Sequence, residues 1–239
     1  MELQTNERLE LLLEVEKLNS KYNKASPKEI IHDLSHVLFP GEVAVVSSFG
    51  IESAVLLHMI SDVNPDIAVI FLDTLKHFEI TLQYVKDLSA SLGLRNVQMT
   101  KPNSTKINVE DPHGTLHVSN PDLCCHIRKT LPMINHLAAY KCFITGRKRF
   151  QTSERKGLHF FGIRDGWINL NPLINFTLGD IKSYFVENQL LMHPLESLGY
   201  NSVSCEPCTE KCDEYRAGRW AGKEKTECGI HIESTHQNK

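Results

Sequence analysis

The apolar pattern changes period along the chain. Near the start, Leu9, Leu12, Leu13 and Leu18 recur at helical spacing, which predicts a helix over roughly residues 6–22. A second helix begins after Ser26, an N-cap residue with Pro27 in the first turn, and runs to about Val37. Short β-branched runs then alternate with helical stretches. Val43–Phe49, Ile67–Asp73, Arg95–Thr100 and Lys141–Gly146 read as strands. Glu52–Ile60, residues 77–92 (closed by Gly93) and residues 122–139 read as helices. This alternation predicts an α/β fold, a parallel sheet with helices on both faces. Ligands of such sheets sit beyond the carboxyl ends of the strands, where three polar segments fall: Ser47–Ser53, Asp73–His77 and Gly146–Gln151.

The pattern shifts after residue 157. A hairpin is expected around Asp165-Gly166, followed by a helix capped by Thr177. Residues from Tyr215 onward are rich in Gly, Lys and Glu and read as a mobile tail. The expected division is N-terminal helices over 1–38, a central domain over 39–212 and the tail over 213–239.

Composition narrows the class. The chain has 239 residues, 41% apolar and 23% charged, enough for one sizeable core. A formal net charge of −3 supplies no basic field, so no nucleic-acid partner is expected. The acidic, amphipathic N-terminus does not read as a secretory signal, and no apolar run of about 18 residues suggests a membrane span. A cytoplasmic protein is expected. The seven cysteines are an odd number, which favours reactive or metal-binding thiols over a full disulfide framework.

Those cysteines divide by context. Cys205-Glu206-Pro207-Cys208 is a C-x-x-C pair that zinc, a redox disulfide or a cluster could use. Cys124 and Cys125 are adjacent, so their side chains diverge. That suits several irons, each taking its own thiolate, better than a single zinc ion. The plain alternative is that some are buried core cysteines. Cys142 sits in an apolar strand and reads as core, and Cys212 reads as a bystander or spare ligand. Cys228, in Lys225–His231, lies in a segment with little apolar content and is expected to be exposed. Lys225 and His231 favour its thiolate and Glu227 opposes it; an incidental tail cysteine is the competing reading.

At these residues the sequence resembles a known family. "VSSFGIESAVLLHMI", "IAVIFLDT", "CCHIRKTLP", "FITGRKRFQTSER", "CEPC", "RAGRW" and "ECGIHIE" occur in the order found in adenylyl-sulfate (APS) and phosphoadenylyl-sulfate (PAPS) reductases, from about residue 40 to 233. The paired cysteines resemble the iron–sulfur branch, whose usual substrate is APS. The resemblance implies a PP-loop (adenine-nucleotide α-hydrolase) fold and a 4Fe–4S cluster on Cys124, Cys125, Cys205 and Cys208. It implies that Cys228 attacks the sulfate sulfur, AMP leaves, and thioredoxin or a similar dithiol releases sulfite from S-sulfocysteine.

It also implies substrate contacts. These are Ser47, Ser48, Phe49 and Gly50 in a modified phosphate loop, Leu72, Asp73 and Thr74 in the nucleobase and ribose region, and Gly146 and Arg147. Lys129 would lie between cluster and substrate, and Arg216, Arg219 and His231 on a tail that folds over the site. The cluster would tune charge and geometry rather than pass electrons.

The chain departs from the family at Ser53, usually Asp, at Leu75, usually Gly, and at Glu79-Ile80-Thr81, usually Pro-Glu-Thr. These changes leave the cysteine chemistry intact and open nucleotide choice, so a PAPS or dual APS/PAPS enzyme with the same cluster is the nearest alternative. An ATP-pyrophosphatase ligase or thiolase of the same fold would carry paired glycines absent from Ser47–Ser53. A metal-bearing binding module leaves "ECGIH" unexplained. The N-terminal helices leave room for a homo-oligomer.

Overall fold

Two helices, α1 (Thr5–Lys21) and α2 (Pro27–Asp33), precede the sheet in the computed structural model, which describes residues 5–222, 225 and 227–231. Ser26 caps α2 through a reciprocal capping box with Glu29. The alternation then runs β1 (Val43–Ser47), α3 (Ser53–Val63), β2 (Ala68–Leu72), α4 (Glu79–Ser91) and β3 (Val97–Thr100). Four short helices lead on to β4 (Cys142–Ile144): α5 (Ser104–Glu110), α6 (Leu116–Ser119), α7 (Pro121–Cys125) and α8 (Leu131–Leu137). The hairpin β5 (Phe161–Arg164) and β6 (Trp167–Leu170) and the helix α9 (Leu178–Glu187) complete the elements that frame the site.

The sheet order is β3-β2-β1-β4-β6-β5, parallel except for β5. The expected hairpin forms at Asp165-Gly166, where φ values of 48° and 92° give the left-handed turn that matches strand twist. Its second strand also pairs in parallel with β4, so the hairpin extends the main sheet.

β1 and β2 are buried along their whole length because both sheet faces are covered. Val45, Val69, Phe71 and Ile144 face the larger core with α1, α2, α3, α4 and α9. Alternate residues Ala44, Val46, Ile70 and Phe143 face a smaller one with Met133 and Leu137 of α8, and Ile230 from the tail packs there. Cys142 is fully buried in the larger core, as its strand context predicts.

Residues 122–139, expected as one helix, are interrupted. α7 passes into a π-turn at His126–Thr130 before α8. Pro132 has no N–H to close the ordinary ladder, and the wider i→i+5 bond from Leu131 N–H to the His126 carbonyl takes over. The described helices include none long and apolar enough to cross a membrane.

One buried group makes stability pH-dependent. His193 accepts the Leu195 N–H at Nδ1 (3.2 Å), and its Nε2 lies 3.2 Å from Thr81 Oγ1, so the neutral ring fits the site. Burial pushes its pKa down to about 4. The unfolded chain takes up this proton below about pH 6.5 and the folded chain does not, so stability falls as pH drops from 6.5 toward 4. Urea unfolding of the native chain and a His193→Gln variant at pH 7 and pH 5 checks this. The variant's loss over that interval should be smaller by about 2 kcal/mol.

Candidate active site

The order of strands reverses between β1 and β4, and a cavity opens beyond their carboxyl ends. Ser47, Ser48 and Gly50 line it from the loop after β1, and Gly146 and Arg147 from the loop after β4. Lys129 enters from the π-turn, and the tail supplies Arg216, Arg219, Cys228 and His231. Ten of the residues expected at a substrate site or as nucleophile therefore meet in one place.

Four others do not line this cavity. Phe49 turns at φ 46° and buries its ring edge-on against Phe71, 5.6 Å between centroids. Leu72 belongs to the smaller core, and the Asp73 carboxylate accepts the Leu75 N–H at 3.0 Å. Thr74 faces the cysteines, with Oγ1 3.1 Å from Cys205 Sγ.

The expectation of an exposed Cys228 is overturned: it is only 7% exposed. The short segment around it has little apolar content beyond Ile230 yet is covered, because polar groups also pin it down. Both oxygens of Glu227 accept from Arg155 (2.5 and 2.6 Å), and Thr152 Oγ1 donates to one of them at 2.9 Å. Glu227 is therefore neutralised by a guanidinium beside the thiol. Tyr215 donates to Glu52 at 2.6 Å, while Lys148 and Gln151 hold the other Glu52 oxygen at 2.7 and 2.9 Å. These partners were not singled out from sequence. Lys148, Gln151 and Arg155 share the run "GRKRFQTSER", where helical or strand periodicity gives no cue.

The cavity wall carries six cationic side chains, Lys129, Arg147, Lys148, Arg155, Arg216 and Arg219, against two carboxylates, Glu52 and Glu227. The carboxylates pair with Lys148 and Arg155. Among the described residues, the other four have no carboxylate within ion-pair distance. Lys129 donates to Ser204 Oγ at 2.9 Å, and Arg147 bonds the Asn171 and Asn169 side chains. Such a surplus in a covered site draws an anion. Burial works against the Lys129 charge, but the sulfurs of Cys205, Cys228 and Cys125 outweigh it and raise its pKa. A hydrogen bond from the Cys125 thiol is the chief influence holding Cys228 well below the ordinary thiol range as long as Cys125 keeps its proton; burial opposes it, and Lys129 and Arg219 help whether or not Cys125 is bound to iron. Burial, with Arg147, Arg155, Arg164 and Arg216 nearby, keeps His231 neutral.

A second, small cavity is lined by Cys124, Cys125, Cys205 and Cys208 together with Lys76, His117 and Arg128. Cys124 and Cys125 end α7, and Cys205 opens a 3-10 turn through Cys208 after a bridge to His77. Arg128 fixes the wall through Asp111 (2.6 Å) and the Thr74 carbonyl (2.9 Å). No three His, Cys, Asp or Glu side chains among the described residues converge on a single ion position. Four thiols spread around one cavity fit a polynuclear centre in which each sulfur takes a different iron. Cys212 does not line this cavity. Lys129 and Trp220 line both cavities.

The tail docks by close backbone contact. Glu210 N–H donates to the Gly218 carbonyl at 2.8 Å, and a Cβ at Gly218 would stand 2.1 Å from the Glu210 carbonyl oxygen. Gly218→Ala forces these strands apart, and overpacking of this kind costs roughly 1–3 kcal/mol. The variant should lose most of its activity and expose its C-terminal segment to trypsin earlier than the native chain does. Digestion followed by mass spectrometry checks this.

The phosphoadenosine phosphosulfate reductase domain family matches residues 42–211. The chain is 45% identical over 218 residues to adenosine 5'-phosphosulfate reductase of Mesorhizobium japonicum, covering 90% of this chain and 86% of that protein. It is 40% identical over 228 residues to the enzyme of the same name from a Chelativorans species, with 94% and 93% covered. Among solved structures, phosphoadenylyl-sulfate reductase of Candida auris in a phosphate complex superposes with a TM-score of 0.69 at 26% identity, over 88% of this chain and 99% of that one. Candida glabrata FMN adenylyltransferase, at 12% identity and a TM-score of 0.55, covers 88% of this chain and 69% of its own and shares the fold alone.

Proposed function

The chain belongs to the phosphoadenosine phosphosulfate reductase family, and from this we infer that it is an oxidoreductase acting on a sulfur group that reduces adenylyl sulfate in sulfate assimilation. The observation that carries the residue-level reading is the delivery of Cys228 into a cation-lined cavity beside Lys129.

The Cys228 thiolate attacks the sulfate sulfur. The bond from that sulfur to the bridging oxygen breaks, and AMP departs with the oxygen and the electron pair. Lys129, Arg147, Arg216 and Arg219 offset the repulsion between two anions, the arginines presenting forks that match phosphate or sulfate oxygens. Ser47, Ser48 and Gly50 present small groups and backbone to the phosphate. Neutral His231 offers a hydrogen bond without adding charge. The sulfo group then resides on Cys228. A dithiol such as thioredoxin attacks the Cys228 sulfur, sulfite leaves with its bonding pair, and the second thiol closes the dithiol's disulfide. Two electrons pass from the dithiol to sulfur, and the tail opens to admit it.

Cys124, Cys125, Cys205 and Cys208 are the residues that would hold a 4Fe–4S cluster, which would supply charge and rigidity next to Lys129. Phe49 and Leu72 pack in the two cores beneath these walls, and Thr74 faces Cys205.

Anaerobic incubation with sulfur-labelled APS, without reductant, tests the reading. Label is expected on the peptide containing Cys228 and should leave as sulfite when thioredoxin is added. Label that fails to bind, or binds another cysteine, overturns it. The second reading, a PAPS or dual-specificity enzyme, is favoured by the four cavity cations that have no carboxylate partner among the described residues and could serve a further phosphate. Steady-state kinetics with both nucleotides separates the two.

A further inference from the structure

Cys228 is gripped on both sides by arginines from different elements. Before it, Arg155 in the 3-10 turn Ser153–Arg155 holds the Glu227 carboxylate with two bonds. After it, Arg164 at the end of β5 donates from Nη2 to the Gly229 carbonyl at 2.9 Å. Both arginines are buried, at 6% and 4% exposure. Between the two anchors, the Cys228 carbonyl accepts the His231 N–H at 2.8 Å, closing a tight turn. The backbone carrying the nucleophile is thus fixed at the residue before it and the residue after it.

We propose that Arg164 is a positioning residue for the reaction, holding the backbone of Cys228 in its attacking place through the Gly229 carbonyl. This rests on Cys228 being the nucleophile. Arg164 does not line the nucleotide cavity, whereas Arg155 does. Its Nε also lies 3.1 Å from the Asp165 carboxylate in the hairpin turn, which aims the guanidinium at the tail. The bond to Gly229 runs to a main-chain oxygen, so it is indifferent to whether Cys228 carries a thiol or a sulfo group. A hydrogen bond from a charged donor to a buried carbonyl shifts a closed–open balance by a factor of roughly 10–100.

The test uses the full-length holoprotein and two variants, Arg164→Met and Arg164→Lys. With APS and thioredoxin, Arg164→Met should lower kcat about threefold to tenfold while KM for APS stays within about twofold. In the substrate-free protein, iodoacetamide should label Cys228 about threefold to tenfold faster, read by mass spectrometry of the tail peptide, because the closed-state loss and the open-state gain multiply to the roughly 10- to 100-fold shift. Arg164→Lys keeps one charged donor and should label at a rate between the native chain and Arg164→Met. Native labelling rates in both variants overturn the proposal, as does a loss expressed mainly in KM, which would mark a substrate contact. Absence of APS turnover in the native chain would instead refute the functional reading, and the labelling arm would still judge the grip.

Discussion

Cys228→Ser should abolish APS turnover, by on the order of 10⁴-fold or more, and leave the visible absorption of anaerobically purified protein unchanged. The magnitude follows from the role. A serine hydroxyl at this pH is not an anion, and nothing in the site acts as a base toward it. Neutral His231 is hemmed by arginines, and Glu227 is occupied by Arg155 and Thr152. The cations that serve a thiolate give no help to a hydroxyl that cannot reach its own anion. The unchanged colour is the second half of the result, because Cys228 lies outside the set that lines the four-cysteine cavity. Residual turnover within a hundredfold of native would remove Cys228 from the mechanism, and bleaching would assign it to the cluster.

Cys124→Ser should bleach the visible absorption, lower the iron content and lose activity together. The side chain is buried and shares a cavity with three other cysteines, and serine is a poor substitute for a thiolate on iron. Because Cys124 sits at the end of α7, one turn before Lys129, loss of a centre there also loosens the π-turn that points Lys129 at the nucleotide. Iron analysis and a spectrum precede the assay. A colourless variant with native turnover would detach the cluster from the reaction.

The sheet was legible because its strands are short β-branched runs between amphipathic helices, and both faces need apolar cover. The hairpin was legible from Asp165-Gly166. The site was legible in its cysteines and in the loops after β1 and β4, since chemistry restricts residue types there. The burial of Cys228 was not. Its flanking residues are held by Arg155 and Arg164, charged residues far away in sequence whose partners exist only in three dimensions. Asp73–His77 is a candidate because it follows a strand end, and the family resemblance implies that Leu72, Asp73 and Thr74 serve the nucleobase and ribose. The structure turns Thr74 to Cys205 instead, through the antiparallel bridge between His77 and Cys205. The π-turn left its mark only in Pro132, which a periodic reading treats as a tolerated kink.

A cysteine that is 7% exposed can be met by a small nucleotide inside the cavity but not by a protein of any size. The two halves of the cycle therefore cannot overlap. In the proposed cycle the nucleotide must be gone before the dithiol arrives, and the sulfo group would wait on the chain in between. The enzyme would then work as a shuttle with memory, its docked tail protecting the load from stray thiols and water until the segment lifts.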